Sequence, residues 1–241
     1  MDICIVGSGH VGLVTGACFA ELGNRVICVD NNREKIAKLK RGKLPYYEPG
    51  LDRLVRKNVA AKRLSFTTQI ADGVRRCEVI FIAVGTPPLA SGEADLTLVE
   101  NVTRQIAEAM TSYRIIVEKS TVPVETGRLI AHTLKHSIGK KVPFDVASNP
   151  EFLREGSAVE DFLHPDRVVI GVESARARTI LEKLYKPFKA PIVVTDIASA
   201  ELIKHASNAF LATKISFINA VSCICDQVGA DVEKVAMGVG L

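Results

Sequence analysis

The chain has 241 residues, 47% hydrophobic and 24% charged, so it holds enough apolar material for a sizeable core. Its 31 basic and 27 acidic residues are spread without blocks of like charge. The net charge of +4 suits a small anionic ligand, not nucleic acid. No stretch of about 18 continuous apolar residues appears, so no membrane partner is expected.

The chain opens on Ile3-Cys4-Ile5-Val6, an apolar run that reads as a strand. No basic region or cleavage site precedes it, so it is not read as a signal peptide, and a cytoplasmic protein is expected. The cysteines are Cys4, Cys18, Cys28, Cys77, Cys223 and Cys225. None makes a C-x-x-C pair or stands beside histidines at metal-ligand spacing, so reduced thiols and no metal are expected. Cys223 and Cys225, two apart on an expected apolar helix, point about 200° apart and are expected to be buried.

A helical pattern over Val11–Leu22 follows the first strand, then a strand at Arg25–Val29 and a helix at Arg33–Lys40. Further strands are expected at Val79–Val84, Arg114–Glu118, Phe144–Ala147, Arg167–Val172 and Ile192–Thr195. Helices are expected at Leu96–Met110, Thr126–His136 and Ala175–Tyr185. Such alternation implies a doubly wound α/β fold, a mostly parallel sheet covered on both faces, over residues 1–197. Residues 198–241 form a second region. Ala198 to about Val228 has no proline or glycine and reads as one long helix, nearly all apolar from Ile215 to Cys225. Such a helix is expected to be buried, inside the subunit or against another. Gly229 supplies a stop and Asp231 a new cap. Gly238-Val239-Gly240-Leu241 reads as a flexible end where a longer chain was cut.

Gly7-Ser8-Gly9-His10-Val11-Gly12 is a G-x-G-x-x-G placed between the first strand and the first helix. Gly7 permits a tight turn, Gly9 a close approach to a pyrophosphate, and Gly12 close packing of helix on strand. The helix amides then face the phosphate charge. Asp30 ends the second strand, where an acid about 20 residues on holds the ribose hydroxyls. Together they indicate a Rossmann-type dinucleotide site. Asp30 would repel a 2′-phosphate, which favours NAD over NADP although Arg33 and Lys35 lie nearby.

Three later segments leave strands at their carboxyl ends, where ligands bind in such sheets. Val84-Gly85-Thr86-Pro87-Pro88 either lines the crevice or is a proline-braced loop. Ser120 and Thr121 either face the crevice or cap the helix after Pro123. Glu151 and Glu155 are four apart, so one helical turn would put both carboxylates on one side, in a site or in solvent. On the long helix, Lys204 and Asn208 share a face one turn apart. They either converge on an oxyanion or are a snorkelling lysine and its neighbour.

The order of these motifs resembles that of the UDP-glucose dehydrogenases, members of the UDP-glucose/GDP-mannose dehydrogenase family. The resemblance runs through Gly7–Gly12, Pro45-Tyr46-Tyr47-Glu48-Pro49-Gly50-Leu51, Gly85-Thr86-Pro87 and Glu118-Lys119-Ser120-Thr121-Val122-Pro123. It continues through Ser148–Ser157, Pro165–Gly171 and Glu201–Asn219, covering essentially the whole chain. The resemblance implies a four-electron, NAD-dependent oxidation of UDP-glucose to UDP-glucuronate. In that chemistry a cysteine takes the aldehyde as a thiohemiacetal, and water later hydrolyses a thioester.

By the same resemblance, Lys204 and Asn208 would hold the oxyanion. Thr121 and Glu155 would position the water or proton, with Glu151 assisting. Phe152, Leu153, Arg154 and Glu155 would line the sugar pocket beside Glu151, Lys204 and Asn208. Asp30, Lys35, Thr86, Ser120, Thr121 and Glu155 would serve the cofactor with the Gly7–Gly12 loop, including His10 and Val11. The long helix would form the core of a homodimer.

Two departures stand out. Glu125 replaces a glycine usual after Ser-Thr-Val-Pro-Val, and little harm is expected at a helix start. The family's Gly-Gly-Ser-Cys-Phe-Pro-Lys-Asp motif, which carries the nucleophile, is absent, so these residues alone are expected to bind NAD without completing turnover.

Three other readings compete. Oxidation of GDP-mannose or UDP-N-acetylmannosamine is the nearest. A two-electron β-hydroxyacid dehydrogenase would not need the Pro150–Glu155 segment. A non-catalytic NAD-binding or dimerisation module is the alternative of another class.

Overall fold

The computed structural model describes residues 1–138 and 142–240. Eight strands form one sheet: β1 (Asp2–Val6), β2 (Arg25–Val29), β3 (Leu64–Thr67), β4 (Val79–Ile82), β5 (Arg114–Glu118), β6 (Phe144–Ser148), β7 (Val168–Val172) and β8 (Ile192–Thr195). Their order is β3-β2-β1-β4-β5-β6-β7-β8, so the winding of the sheet switches side between β1 and β4. All neighbours are parallel except β6 and β7, which run antiparallel. This is the doubly wound α/β architecture expected from the alternation of apolar runs.

The helices of the first region are α1 (His10–Glu21), α2 (Arg33–Lys40), α3 (Leu51–Ala60), α4 (Ile70–Arg76), α5 (Thr97–Ala109), α6 (Thr126–Ser137), α7 (Ala158–Leu163) and α8 (Ala175–Tyr185). Strand periodicity sorts the core into two layers. Ile3, Ile5, Val26, Cys28, Val79 and Phe81 face one side, in a cluster with residues of α1, α3, α7 and α8. Cys4, Val6, Ile27, Val29, Ile80 and Ile82 face the other, with residues of α4, α5 and α6. Phe19 of α1 is fully buried and its ring stands 5.2–5.5 Å from those of Phe81, Phe162 and Tyr185. Four short elements, β3, α3, α4 and α7, were not anticipated from sequence; each is ten residues or fewer. In so short a window, periodicity carries little signal.

The chain divides into two compact units, Met1–Leu202 and Ile203–Leu241. Helix α9 runs over Ile197–Val228 and α10 over Val232–Gly240. Gly229 takes a left-handed φ of +72°, and the Asp231 side chain accepts from Glu233 N at 3.0 Å, the stop and cap expected there. The expected flexible end is instead helical through Gly240.

Of the two settings expected for α9, burial inside the subunit is not met. Most of its large apolar side chains are exposed within this chain, Phe210, Phe217 and Ile224 all more than half so. Cys223 is exposed too, while Cys225 is buried. By length and mean composition α9 is apolar enough to cross a membrane, although no continuous run of about 18 apolar residues occurs in it. Scattered serine, asparagine and lysine residues interrupt its apolar stretches without lowering the average far enough.

Candidate functional site

The strands end in register. Val29 pairs with Val6, Val6 with Ile82, Ile82 with Glu118, and Glu118 with Ser148. Parallel pairing therefore sends the loops after β1, β4, β5 and β6 out from one row at the carboxyl edge of the sheet, across the point where strand order reverses. That is where open α/β sheets bind ligands. Cross-strand bonds bind the loop bases together: Gly7 N to Val29 O (2.8 Å), Ala83 N to Val6 O (2.8 Å), Lys119 N to Ile82 O (2.9 Å) and Asn149 N to Glu118 O (2.8 Å).

In the first loop the three glycines do different work. Gly7 has φ +103°, and a Cβ there would lie 2.3 Å from Ala83 O. A Cβ on Gly12 would lie 2.0 Å from Gly7 O. At Gly9 a Cβ would meet nothing within 4 Å. The polypeptide itself thus makes no demand for glycine at 9. Open space over that residue, at the start of α1, fits the close approach of a dinucleotide pyrophosphate. Val11 follows His10 in the first turn of α1, and both are half-buried.

Asp30 is 8% exposed and stands beside this loop, accepting from Ser8 N at 2.9 Å and Asn32 N at 3.0 Å. Lys35 Nζ reaches it at 2.7 Å. Burial works against the charge of Asp30, but Lys35 and the two backbone donors outweigh it and hold the carboxyl below its usual range. A charged acceptor is thus fixed at the end of β2, suited to ribose hydroxyls. Lys35 meets the site through Asp30, a bond that its position five residues later permits but does not announce.

The loops after β4 and β5 are joined by Thr86 Oγ1 donating to Thr121 O at 2.7 Å. Ser120 N donates to Glu118 Oε1 at 2.6 Å. Glu118 is 1% exposed, and its Oε2 has no hydrogen-bond partner. Burial, only partly offset by Ser120, and the charge of Glu201 push this carboxyl up to about 8. No sequence signal distinguished it from an ordinary strand-end acid.

Glu125, expected to sit harmlessly at a helix start, precedes α6 with φ +81°. Its side chain makes no cap and pairs with Arg128 at 2.8 Å. The glycine usual at this place therefore has a backbone reason, and a side chain here carries strain of about 1 kcal/mol. The amides of Glu125 and Gly127 are satisfied instead by the Glu201 carboxylate, each at 2.7 Å.

After β6, the helical turn that would align Glu151 and Glu155 does not form. Residues 151–154 are irregular, a turn covers 155–157, and α7 starts at Ala158. Glu151 Oε2 accepts from Leu153 N at 2.6 Å. Leu153 packs against the core, and the Phe152 ring lies under the Arg167 guanidinium at 3.9 Å. Arg154 is engaged with Asp161, its Nη2 donating at 2.6 Å. Glu155 is exposed. Beneath this segment Asn149 ties β6 to its surroundings, donating to Val169 O at 2.8 Å and accepting from Lys119 Nζ at 2.9 Å and from Tyr185. Lys204 and Asn208 lie one turn apart on α9, in the second unit.

Sequence reasoning from composition and spacing also missed the segment between α2 and α3. Tyr46 Oη donates toward Gly9 O and His10 O at 3.2 and 3.3 Å. Glu48, 3% exposed, contacts His10 and the start of α7. The bonds that define these roles span 36 to 110 residues of chain.

Residues 1–189 match the sequence model of the UDP-glucose/GDP-mannose dehydrogenase family, NAD binding domain. Residues 198–241 match that of the family's central domain. UDP-glucose 6-dehydrogenase TuaD of Bacillus subtilis is 54% identical over 99% of this chain and 52% of its own length. A UDP-glucose dehydrogenase structure from Pyrobaculum islandicum superposes with a TM-score of 0.95 at 43% identity, over 99% of this chain and 56% of that one. A GDP-mannose dehydrogenase ternary complex from Pseudomonas aeruginosa gives a TM-score of 0.95 at 37% identity, with 99% and 56% coverage. The chain spans about half the length of the relatives it matches.

Proposed function

The chain belongs to the UDP-glucose/GDP-mannose dehydrogenase family, and we propose that it forms the cofactor half of an enzyme that oxidises UDP-glucose to UDP-glucuronate. Residues 1–197 form its NAD-binding domain, and 198–241 begin a central domain whose long helix pairs two subunits. The observation that carries this reading is the row Val29, Val6, Ile82, Glu118 and Ser148, from which every loop with a proposed role departs. Identity of 54% to a UDP-glucose 6-dehydrogenase supports UDP-glucose over GDP-mannose or UDP-N-acetylmannosamine. Six free cysteines, five of them buried, fit a reducing, cytoplasmic setting.

Bound NAD would supply the hydride acceptor for the sugar carbon. The Gly7–Gly12 loop, with His10 and Val11, would hold its pyrophosphate on the α1 amides, and Asp30, kept charged by Lys35, would take the adenosine ribose hydroxyls. Thr86, Ser120 and Thr121 border the crevice at the ends of β4 and β5. Thr121 and Glu155 position the water or proton, with Glu151 assisting. Phe152, Leu153 and Arg154 shape the sugar pocket, Leu153 and Arg154 through their contacts with the core and Asp161. Lys204 and Asn208 stabilise the oxyanion.

The complete enzyme tests this assignment. Lys204→Ala lowers kcat by about 10²–10³, the loss typical of an oxyanion donor, with a near-normal Tm. Wild-type kcat in that variant would remove Lys204 from the chemistry. Turnover measured with the three nucleotide sugars decides the substrate, and a preference for GDP-mannose would overturn UDP-glucose.

A further inference from the structure

Glu48 is almost wholly buried, yet lies on neither a helix nor a strand. A buried carboxylate is costly unless its oxygens are filled, and those of Glu48 are filled from two distant places. Oε2 accepts from His10 Nε2 at 2.8 Å and from Gly156 N at 2.9 Å. Oε1 accepts from Ala158 N at 2.9 Å. The first partner is the opening residue of α1, inside the dinucleotide loop. The other two close the segment after β6, 108 and 110 residues further along the chain than Glu48.

Both ends of this joint are shaped for it. Gly156 adopts a left-handed φ of +84°, which a side chain rarely tolerates, and its N–H reaches the carboxylate from that turn. Ser157, which precedes α7, makes no side-chain cap, so Glu48 supplies the acceptor that the first amide of α7 needs. On the other side, the Tyr46 ring rests on the His10 ring with centroids 5.1 Å apart, and its hydroxyl bonds to Gly9 and His10 carbonyls. The bond to Glu48 places a proton on His10 Nε2. Burial opposes the charge on Glu48, but His10 and the amides of Gly156 and Ala158 hold its carboxyl below the usual range. It stays an acceptor at neutral pH.

We propose that Glu48 is a positioning residue that transmits order from the dinucleotide loop to the segment after β6, so that NAD held by the first stiffens the second. Ordering His10 over a bound pyrophosphate restrains one partner of the carboxylate, and the same two oxygens restrain Gly156 and Ala158. The consequence for the sugar rests on the proposed role of Glu151–Glu155; the transmission itself does not.

Amide hydrogen exchange tests the transmission without substrate. In the wild-type chain, saturating NAD slows exchange of the 152–160 peptide about tenfold. In Glu48→Gln, whose amide nitrogen cannot accept from a backbone N–H, basal exchange is faster and the NAD-induced slowing is lost. A purely structural Glu48 would raise basal exchange in the variant and leave the NAD increment intact, which would overturn the proposal. So would the absence of slowing in the wild type. If Glu48→Gln does not fold, His10→Asn decides: it leaves both backbone bonds to Glu48 but cuts the link to the loop, and must also abolish the increment. Calorimetry fixes NAD saturation for each protein. A separate titration of UDP-glucose reads the sugar assignment, so its failure and that of the Glu48 joint stay distinguishable.

Discussion

The two halves of the carboxyl edge are built on different principles. In the half formed by β1 and β2, short-range partners recur: Gly12 packs on Gly7, and Asp30 is held by Asn32 and Lys35, with Ser8 N and the Ala83 carbonyl beside Gly7 as the longer-range contacts. In the half formed by β5 and β6, the defining contacts are distant or unmet. Glu118 is buried with an orphan oxygen, Glu125 is twisted into a left-handed turn, and Glu201 reaches back 74 residues to Gly127. The first half is a local motif with little room for change. The second is assembled from far along the chain and retains polar burial and strain that substitution can relieve.

The largest test of that contrast is Gly12→Ala. Its new Cβ would stand 2.0 Å from a backbone oxygen, so stability falls by about 3 kcal/mol and NAD binding is lost. Denaturant melts and calorimetry check both. A well-folded, NAD-binding variant would show that the β1 loop is more pliable than its packing allows.

Glu118→Gln works in the opposite sense. The folded chain keeps a proton on Glu118 up to about pH 8, whereas the unfolded chain loses it near the ordinary value of 4.5. Stability from this group is therefore fully present below about 4.5, lost as pH rises toward 8, and level above. Relative to wild type, Glu118→Gln gains roughly 3–4 kcal/mol between pH 5 and 8. Melting curves that stay parallel over that window would return Glu118 to an ordinary, charged acid.

Asp30→Ala weakens NAD about tenfold or more, near 1.4 kcal/mol, while NADP loses less. Calorimetry showing equal losses for the two cofactors would sink the ribose assignment. The smallest effect belongs to Glu125→Gly. Removing a side chain from φ +81° stabilises the chain by up to about 1 kcal/mol, even after the extra freedom of glycine in the unfolded state. A loss of stability would mean that the Arg128 ion pair outweighs the strain.

Much of the molecule could be read before any coordinate was known, for one physical reason. Strands β2, β5 and β8 and helices α2 and α8 fall where β-branched runs and helical periods place them, because both patterns repeat within a few residues. The glycine turn and Asp30 are legible for the same reason. Steric demands at Gly7 and Gly12, and a strand of fixed length between loop and acid, leave few other arrangements. Tertiary structure alone decided the rest. The antiparallel pairing of β7, the raised carboxyl of buried Glu118 and the joint at Glu48 each depend on partners tens of residues away, and the irregular course of 151–154 is set by contacts that no helical period announces. A hydrogen bond across 110 residues leaves no period in the sequence, because it is fixed only once the sheet has brought β1 and β6 to the same edge.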